Sequence, residues 1–303
     1  MELFLRRIAK VDSADIVVDS VTVVAGYNGS GKTTVSKALY GMLRCSSGDK
    51  LDNAFISSEI LRLYSTQAVT HHNEGIESEI SLRDGKNVIS FSLSDDDLKI
   101  NSYYPIGNNG NAIYFRAPSR WIDSDSEELK TALYRPSLRT PSSLMESYKS
   151  LIEKYAKGTI KEHAGKLYYV DADYPDFYIE LSNASSGAII LAEIGRLIDN
   201  GSIKSGTTLI IDEPETNLHP EKQVALARII VSLAVNHQIR FLLSSHNIYF
   251  IRALEVALSE EQEERHRFYM MVQSEESHLY SSRDVTDDLE QIYRELYQPL
   301  EDL

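Results

Sequence analysis

The stretch AGYNGSGKTT, Ala25 to Thr34, sets Gly26, Gly31, Lys32 and Thr33 at the spacing G-x-x-x-x-G-K-[ST]. Glycines let the backbone turn back, so that successive N–H groups point into one concavity that accepts phosphate oxygens. Lys32 would reach the β- and γ-phosphates of a nucleoside triphosphate, and the Thr33 hydroxyl would ligate Mg²⁺. Far downstream, TLIIDEPETNLHP ends an apolar run in two adjacent carboxylates, Asp212 and Glu213. At the carboxyl edge of a parallel sheet, Asp212 would hold Mg²⁺ through water and Glu213 would orient or deprotonate an attacking water. Ser185, Ser186 and Gly187 precede an apolar helical pattern and give a second polar helix start, suited either to phosphate oxygens or to ordinary capping. His246 follows the apolar run Phe241-Leu242-Leu243, where its side chain could touch a γ-phosphate.

These groups need strands that end together and helices that start beside them. Val21 to Val24 is short and β-branched and feeds the glycine loop, while Val35, Leu39 and Met42 fall at helical spacing after it. From Leu181 onward the pattern alternates in α/β fashion: a helix over 187–199, a strand over 207–211, a helix over 220–235, a strand over 239–243 and a helix over 248–258. The amino-terminal part reads as strands at 2–8, 16–18, 76–82 and 88–93, with a helix over 53–69 and an exposed loop over 100–111. Residues 119–166 are polar, helix-prone and broken by Pro136 and Pro141, which predicts an inserted helical lobe. Residues 166–181 read as a hairpin, and 284–303 as an amphipathic terminal helix within one domain spanning 1–303.

The chain has 303 residues, 42% hydrophobic and 25% charged, as in ordinary globular proteins. No apolar run approaches a membrane span, and Met1-Glu2-Leu3-Phe4 does not resemble a signal peptide, so no membrane association is expected. The single cysteine, Cys45, excludes an internal disulfide and fits a reducing compartment, which makes the cytoplasm the expected location. A net charge of −14 opposes generic duplex binding, although residues 116–166 carry ten Lys or Arg against seven Asp or Glu. The lysines there (149, 154, 157, 161 and 166) read either as a solvated helical face or as a contact for nucleic acid or a partner.

The order of these motifs resembles that of ABC-type ATPases, in the SMC/RecF/OLD-like branch. GYNGSGKTT is similar to the glycine loop of that branch, DEPETNLHP to its DEPE-x-x-LHP stretch, and NASSGA stands where transporters carry LSGGQ. The resemblance implies an α/β fold: a P-loop NTPase head of ABC type with a mixed or parallel core sheet, an antiparallel amino-terminal part and an inserted lobe. It also implies a homodimer closed head-to-tail around two ATP molecules. Gly26, Asn28, Gly29, Ser30, Gly31, Lys32, Thr33 and Thr34 would hold ATP and Mg²⁺, with Asp212 as the second metal group. Ser185, Ser186 and Gly187 of the other copy would close on the γ-phosphate, Glu213 would act as base, and His246 would sense that phosphate. Three positions depart from the pattern: Gln67 matches the linking glutamine only by distance, no proline follows His246 closely, and Ala188 follows Gly187. Slow or partner-triggered hydrolysis would follow.

The resemblance points first to an ATPase subunit that switches a separate effector, a nuclease or toxin, in an anti-phage defence complex. A RecF-like DNA-repair or DNA-binding ATPase is the alternative, with 116–166 as the nucleic-acid contact. A transporter ATPase and a scaffold that barely hydrolyses rank behind them. Arg120 is a further candidate near the nucleotide and Trp121 a core residue, whereas His71-His72 lack ligands at metal-binding spacing.

Overall fold

The computed structural model describes residues 1–46, 78–94, 97–104, 106, 111–116, 127–140, 142–155, 158–181 and 186–301. The expected helix over 53–69, and Gln67, His71, His72, Arg120, Trp121 and Ser185, lie outside them.

In chain order the strands are β1 (Glu2–Ile8), β2 (Val11–Val17), β3 (Val21–Ala25), β4 (Ser78–Asp84), β5 (Asn87–Ser94), β6 (Asp97–Tyr103), β7 (Ala112–Arg116), β8 (Gly158–His163), β9 (Lys166–Asp171), β10 (Tyr178–Glu180), β11 (Thr208–Asp212), β12 (Arg240–Ser245), β13 (His266–Gln273) and β14 (Tyr280–Asp284). The helices are α1 (Lys32–Ser46), α2 (Glu127–Leu133), α3 (Ser143–Tyr155), α4 (Ser186–Asp199), α5 (Pro220–His237), α6 (Ile248–Glu260) and α7 (Glu290–Glu301).

Among the described residues, eleven strands form one sheet in the order β6-β5-β4-β1-β2-β14-β13-β3-β12-β11-β7. Strands β13, β3, β12, β11 and β7 run parallel, and β1, β2, β4, β5 and β6 pair antiparallel at the other end. This is the α/β mixed sheet with an antiparallel amino-terminal part that the motif order implied.

Strand periodicity divides the parallel strands between two cores. Val21, Val23, Leu209, Ile211, Phe241 and Leu243 face one side, with α4, α5 and α6. Val24, Ile210 and Leu242 face the other, with Val35, Leu39 and Met42 of α1. Because both faces are covered, the strands read as continuous apolar runs rather than alternating ones. Each such side chain contributes about 1.5–3 kcal/mol on burial. Helix α5 starts with His219 as N-cap, Pro220 in the first turn and Glu221 beside it, and it stops at Gln238 in the left-handed region.

Three sequence expectations change. Residues 119–166 are not wholly helical: after α2 and α3 the chain forms β8 and enters β9, so Lys161 and Lys166 sit on strands and not on a helical face. Thr-Ile-Lys-Glu-His alternates like a strand, but charged residues on its outer side mask the pattern, and β8, β9 and β10 form a separate antiparallel sheet. The expected loop over 100–111 overlaps β6, which pairs with β5. The terminal helix begins at Glu290, because β14 and a turn occupy the preceding residues. Among the described residues, no helix is long and apolar enough to cross a membrane.

Helix α4 contains a buried carboxyl, Glu193, whose Oε1 has no hydrogen-bond partner. Burial pushes its pKa from 4.5 up to about 8. The folded state therefore holds this proton more tightly than the unfolded chain, and stability is lost as pH rises through that interval. Glu193→Gln should remove this dependence. In urea unfolding, the variant's stability relative to wild type should rise from pH 5 to pH 8 by on the order of a few kcal/mol. A pH-independent difference would contradict the buried acid.

Candidate functional site

Parallel register brings the chemical residues to one edge of the sheet. Ala25, at the end of β3, pairs with Ser245 of β12, and Asp212, at the end of β11, pairs with Ser244. The loop after β3, the turn after β11 and the chain after β12 therefore leave side by side, at the carboxyl ends of parallel strands where α/β folds bind ligands.

The glycine loop is shaped by close approach. Gly26, Gly29 and Gly31 all adopt positive φ, at 152°, 78° and 93°. A Cβ on Gly31 would stand 2.6 Å from Val11 Cγ2, and one on Gly26 would stand 2.8 Å from Ser30 Oγ. The loop can therefore neither relax nor carry side chains at these two positions. Ser30 Oγ is fully buried and has no partner, an acceptor or donor left for something absent from the chain. Lys32 is buried at the start of α1, and its ammonium donates to the carbonyl oxygens of Gly26 and Tyr27, 2.8 Å each. Burial lowers its pKa, while the carboxylates of Glu213, Asp212 and Glu215 oppose that shift.

The Thr33 hydroxyl donates to Asp212 Oδ2 at 2.8 Å, which links the loop to β11. Ser244 Oγ donates to the other oxygen, Asp212 Oδ1. Asp212 is itself buried. A hydroxyl and a buried carboxylate meeting beside a phosphate cradle form the oxygen donor set that Mg²⁺ prefers, so the residues present fit the group expected from the sequence.

Glu213 adopts φ 53°, in the left-handed region, costing about 1–3 kcal/mol for a non-glycine residue. Its N–H donates to Ser244 O at 2.9 Å, which holds the turn. The turn aims its carboxylate at His246, whose Nδ1 lies 3.1 Å from Glu213 Oε1. Both side chains remain partly open to solvent. Asn247, next in sequence, caps α6 by accepting from Phe250 N at 3.1 Å.

Thus Lys32, Thr33, Asp212, Glu213 and His246 converge. Asn28 and Gly29 lie on the exposed part of the loop, and Thr34 continues α1. Ser186 and Gly187 open α4, which packs on α2, α3 and β8 in the lobe.

Residues not singled out from sequence also reach the site. Glu215, two positions beyond Glu213, is buried and accepts from Ser245 Oγ at 2.6 Å; burial raises its pKa to about 7 against the opposing Ser245 bond. DEPE contains that second acid, and the polar Ser-Ser ending an otherwise apolar strand was the signal for its partner. Lys10 overhangs the loop, with its ammonium 3.7 Å from a Cβ placed on Gly29. It sits in the β1–β2 turn, which Arg7 and Ala9 close with positive φ, and no sequence motif marks it. Tyr27, within the loop, donates its hydroxyl to Glu295 O of α7.

Comparisons with known proteins bear on the fold. A family model described as an AAA ATPase domain matches residues 119–251, the lobe through the start of α6. No curated protein sequence matches the chain. The SMC head domain from Thermotoga maritima is similar at TM-score 0.52 and 13% identity, over 94% of this chain and 98% of that one. An SmcHead bound to the C-winged helix domain of ScpA is similar at TM-score 0.60 and 10% identity, over 96% of this chain and 98% of that one. An Smc head from Pyrococcus furiosus with an extended coiled coil, bound to the C-terminal domain of ScpA, gives 0.57 and 11%, over 99% and 98%. At such identities the likeness shows the fold alone, that of an SMC head domain.

Lys32→Ala removes the buried ammonium at the base of the loop. In a fluorescent-ATP titration, affinity should fall about 10- to 150-fold, the weight of charge-assisted hydrogen bonds to phosphate. The melting temperature should be unchanged or higher, because the buried charge costs stability. Tight binding retained by the variant would overturn the assignment of the loop.

Proposed function

We propose that this P-loop head binds ATP with Mg²⁺, hydrolyses it as one of a head-to-tail pair, and uses closure of that pair to switch a separate effector. The observation that carries the reading is the convergence of Lys32, the Thr33–Asp212 pair and the Glu213–His246 pair on one sheet edge.

The loop N–H groups and Gly26, Asn28, Gly29, Ser30 and Gly31 take up phosphate oxygens, and Ser30 Oγ gains the partner it lacks. Lys32 exchanges its two carbonyl bonds for β- and γ-phosphate oxygens, and Thr34 adds a contact at the start of α1. Thr33 and Asp212 would hold Mg²⁺, which when bound would neutralise charge on the phosphates. Glu213 turns from His246 toward water and takes its proton, while His246 donates to the γ-phosphate. Ser186 and Gly187, at the start of the lobe helix α4, serve the site of the second copy together with Ser185 of the same sequence motif, since a helix N-terminus favours the anion. Hydrolysis removes the group that both copies grip, and the pair opens.

Two heads with similar folds are bound to domains of ScpA, which supports reading this head as one that also works on a partner protein. By its motif resemblance, that partner is a nuclease or toxin restrained in an anti-phage defence complex. A RecF-like reading is favoured by one surface: Lys161 lies over the Tyr178 ring, and Tyr168 meets Tyr178 edge-on, on the exposed lobe sheet. Such a surface suits single-stranded nucleic acid, although Glu180 beside it pairs with Lys166. Salt-sensitive DNA binding abolished by Lys161→Glu would favour that alternative.

Glu213→Gln should lower the hydrolysis rate by about 10²- to 10⁴-fold and leave MgATP bound. Light scattering should then report a dimer with MgATP and a monomer without it; a persistent monomer would contradict the paired site. The dimer, tagged and drawn from its native cells, should bring down a soluble effector, and DNA recovered alone would favour the alternative.

A further inference from the structure

Glu213 and Glu215 stand on either side of Pro214, and both reach across the sheet edge to consecutive residues at the end of β12. Glu213 meets the His246 ring. Glu215, only 3% exposed, accepts the Ser245 hydroxyl at 2.6 Å, and its other oxygen has no partner. Ser245 Oγ in turn accepts from the backbone N–H of Asn247 at 3.0 Å. Asn247 caps α6 through its side chain. His246 is therefore flanked by two residues joined through one hydroxyl, and Glu215 sets the direction in which that hydroxyl points.

We propose that Glu215 is the positioning residue for His246, acting through Ser245 and the Asn247 amide. This rests on the reading of His246 as the group that contacts the γ-phosphate. Ser245 is fully buried and has one proton to donate, and Glu215 is the acceptor that takes it. With the proton committed to Glu215, the hydroxyl lone pairs face Asn247 and fix the peptide that carries His246. Without the acceptor, the hydroxyl turns toward another carbonyl and the Asn247 amide is released. The imidazole then loses its register with Glu213 and with the phosphate. Glu215 touches neither nucleotide nor water in this scheme, so its effect falls on turnover and not on nucleotide affinity.

The test compares Glu215→Leu, Glu215→Gln and Ser245→Ala in the full chain, each checked for cooperative melting. Glu215→Leu should lower kcat for ATP by about 10- to 100-fold, the scale of a small misplacement of a reacting group, with KM within about 2-fold. Glutamine keeps an acceptor oxygen and should restore most of kcat. Ser245→Ala should match the leucine variant, and the double variant should be no worse than either single one, since both break the same relay. A second readout needs no hydrolysis: the imidazole resonances of His246, assigned with His246→Gln, should shift in nucleotide-free Glu215→Leu and Ser245→Ala but not in Glu215→Gln. Shifted resonances in a protein without ATPase activity would uphold the positioning role and count against the hydrolytic reading. Unshifted resonances, additive losses, or a glutamine variant as impaired as leucine would overturn the proposal.

Discussion

The Thr33–Asp212 hydrogen bond, 2.8 Å long, joins residues 179 positions apart, and the rest of the site is arranged around it. It exists because β3, β12 and β11 are adjacent and parallel, with ends in register. A slip of one residue along β11 would turn Asp212 to the other face and move Ile211 from one core into the other, where its shape does not fit. The same apolar alternation that builds the two cores therefore fixes where the carboxylate stands. Burial makes the arrangement exacting: Asp212, Ser244, Ser245 and Glu215 all lie in the interior, where Ser244 bonds to Asp212 and Ser245 to Glu215. Their mutual bonds hold the edge together in the absence of nucleotide, and the groups that nucleotide would engage are the ones held by weaker or replaceable contacts. Lys32 rests on two carbonyls, Ser30 Oγ has no partner, and Glu213 meets a half-exposed histidine.

Much of this was legible in the sequence where local chemistry and pattern agree. Continuous apolar runs such as Leu209-Ile210-Ile211 gave the parallel strands, and the glycine spacing gave the loop. What pattern alone missed follows from tertiary contact. Strand β8 carries alternating Thr159, Lys161 and His163 on its outer side, and the charges resemble a helical surface until β9 is seen beside it. Strand β6 ends in Asn101, Ser102 and Tyr103 just before a segment rich in Gly, Asn and Pro, and the loop signal of that segment hides a strand end that pairs with β5. Glu215 was visible as a letter, but its role depends on Ser245, which only the sheet brings within reach. Lys10 is marked by no motif at all, because its place over Gly29 is set by the fold of the β1–β2 turn.

The remaining asymmetry is between the two halves of the site. The sheet edge brings the loop, the Thr33–Asp212 pair, Glu213 and His246 together from one chain, whereas Ser186 and Gly187 open a helix bound into the lobe. Under the proposed function, head-to-tail pairing would give α4 a phosphate to meet. Helix α7 touches this machinery from another side: the Tyr27 hydroxyl reaches Glu295 O, and Tyr293 bonds to Glu255 of α6, the helix that follows His246. The loop and the histidine-bearing segment are thus fastened to the same terminal helix.

The central claim is that Thr33 and Asp212 form the metal end of a nucleotide site, and the magnesium dependence of ATP binding tests it most directly. Calorimetric titration with ATP, with and without Mg²⁺, would be carried out on wild type and on Asp212→Asn. The account predicts that Mg²⁺ tightens ATP binding to wild type and that Asp212→Asn largely abolishes the difference. The same magnesium enhancement in both proteins would contradict it.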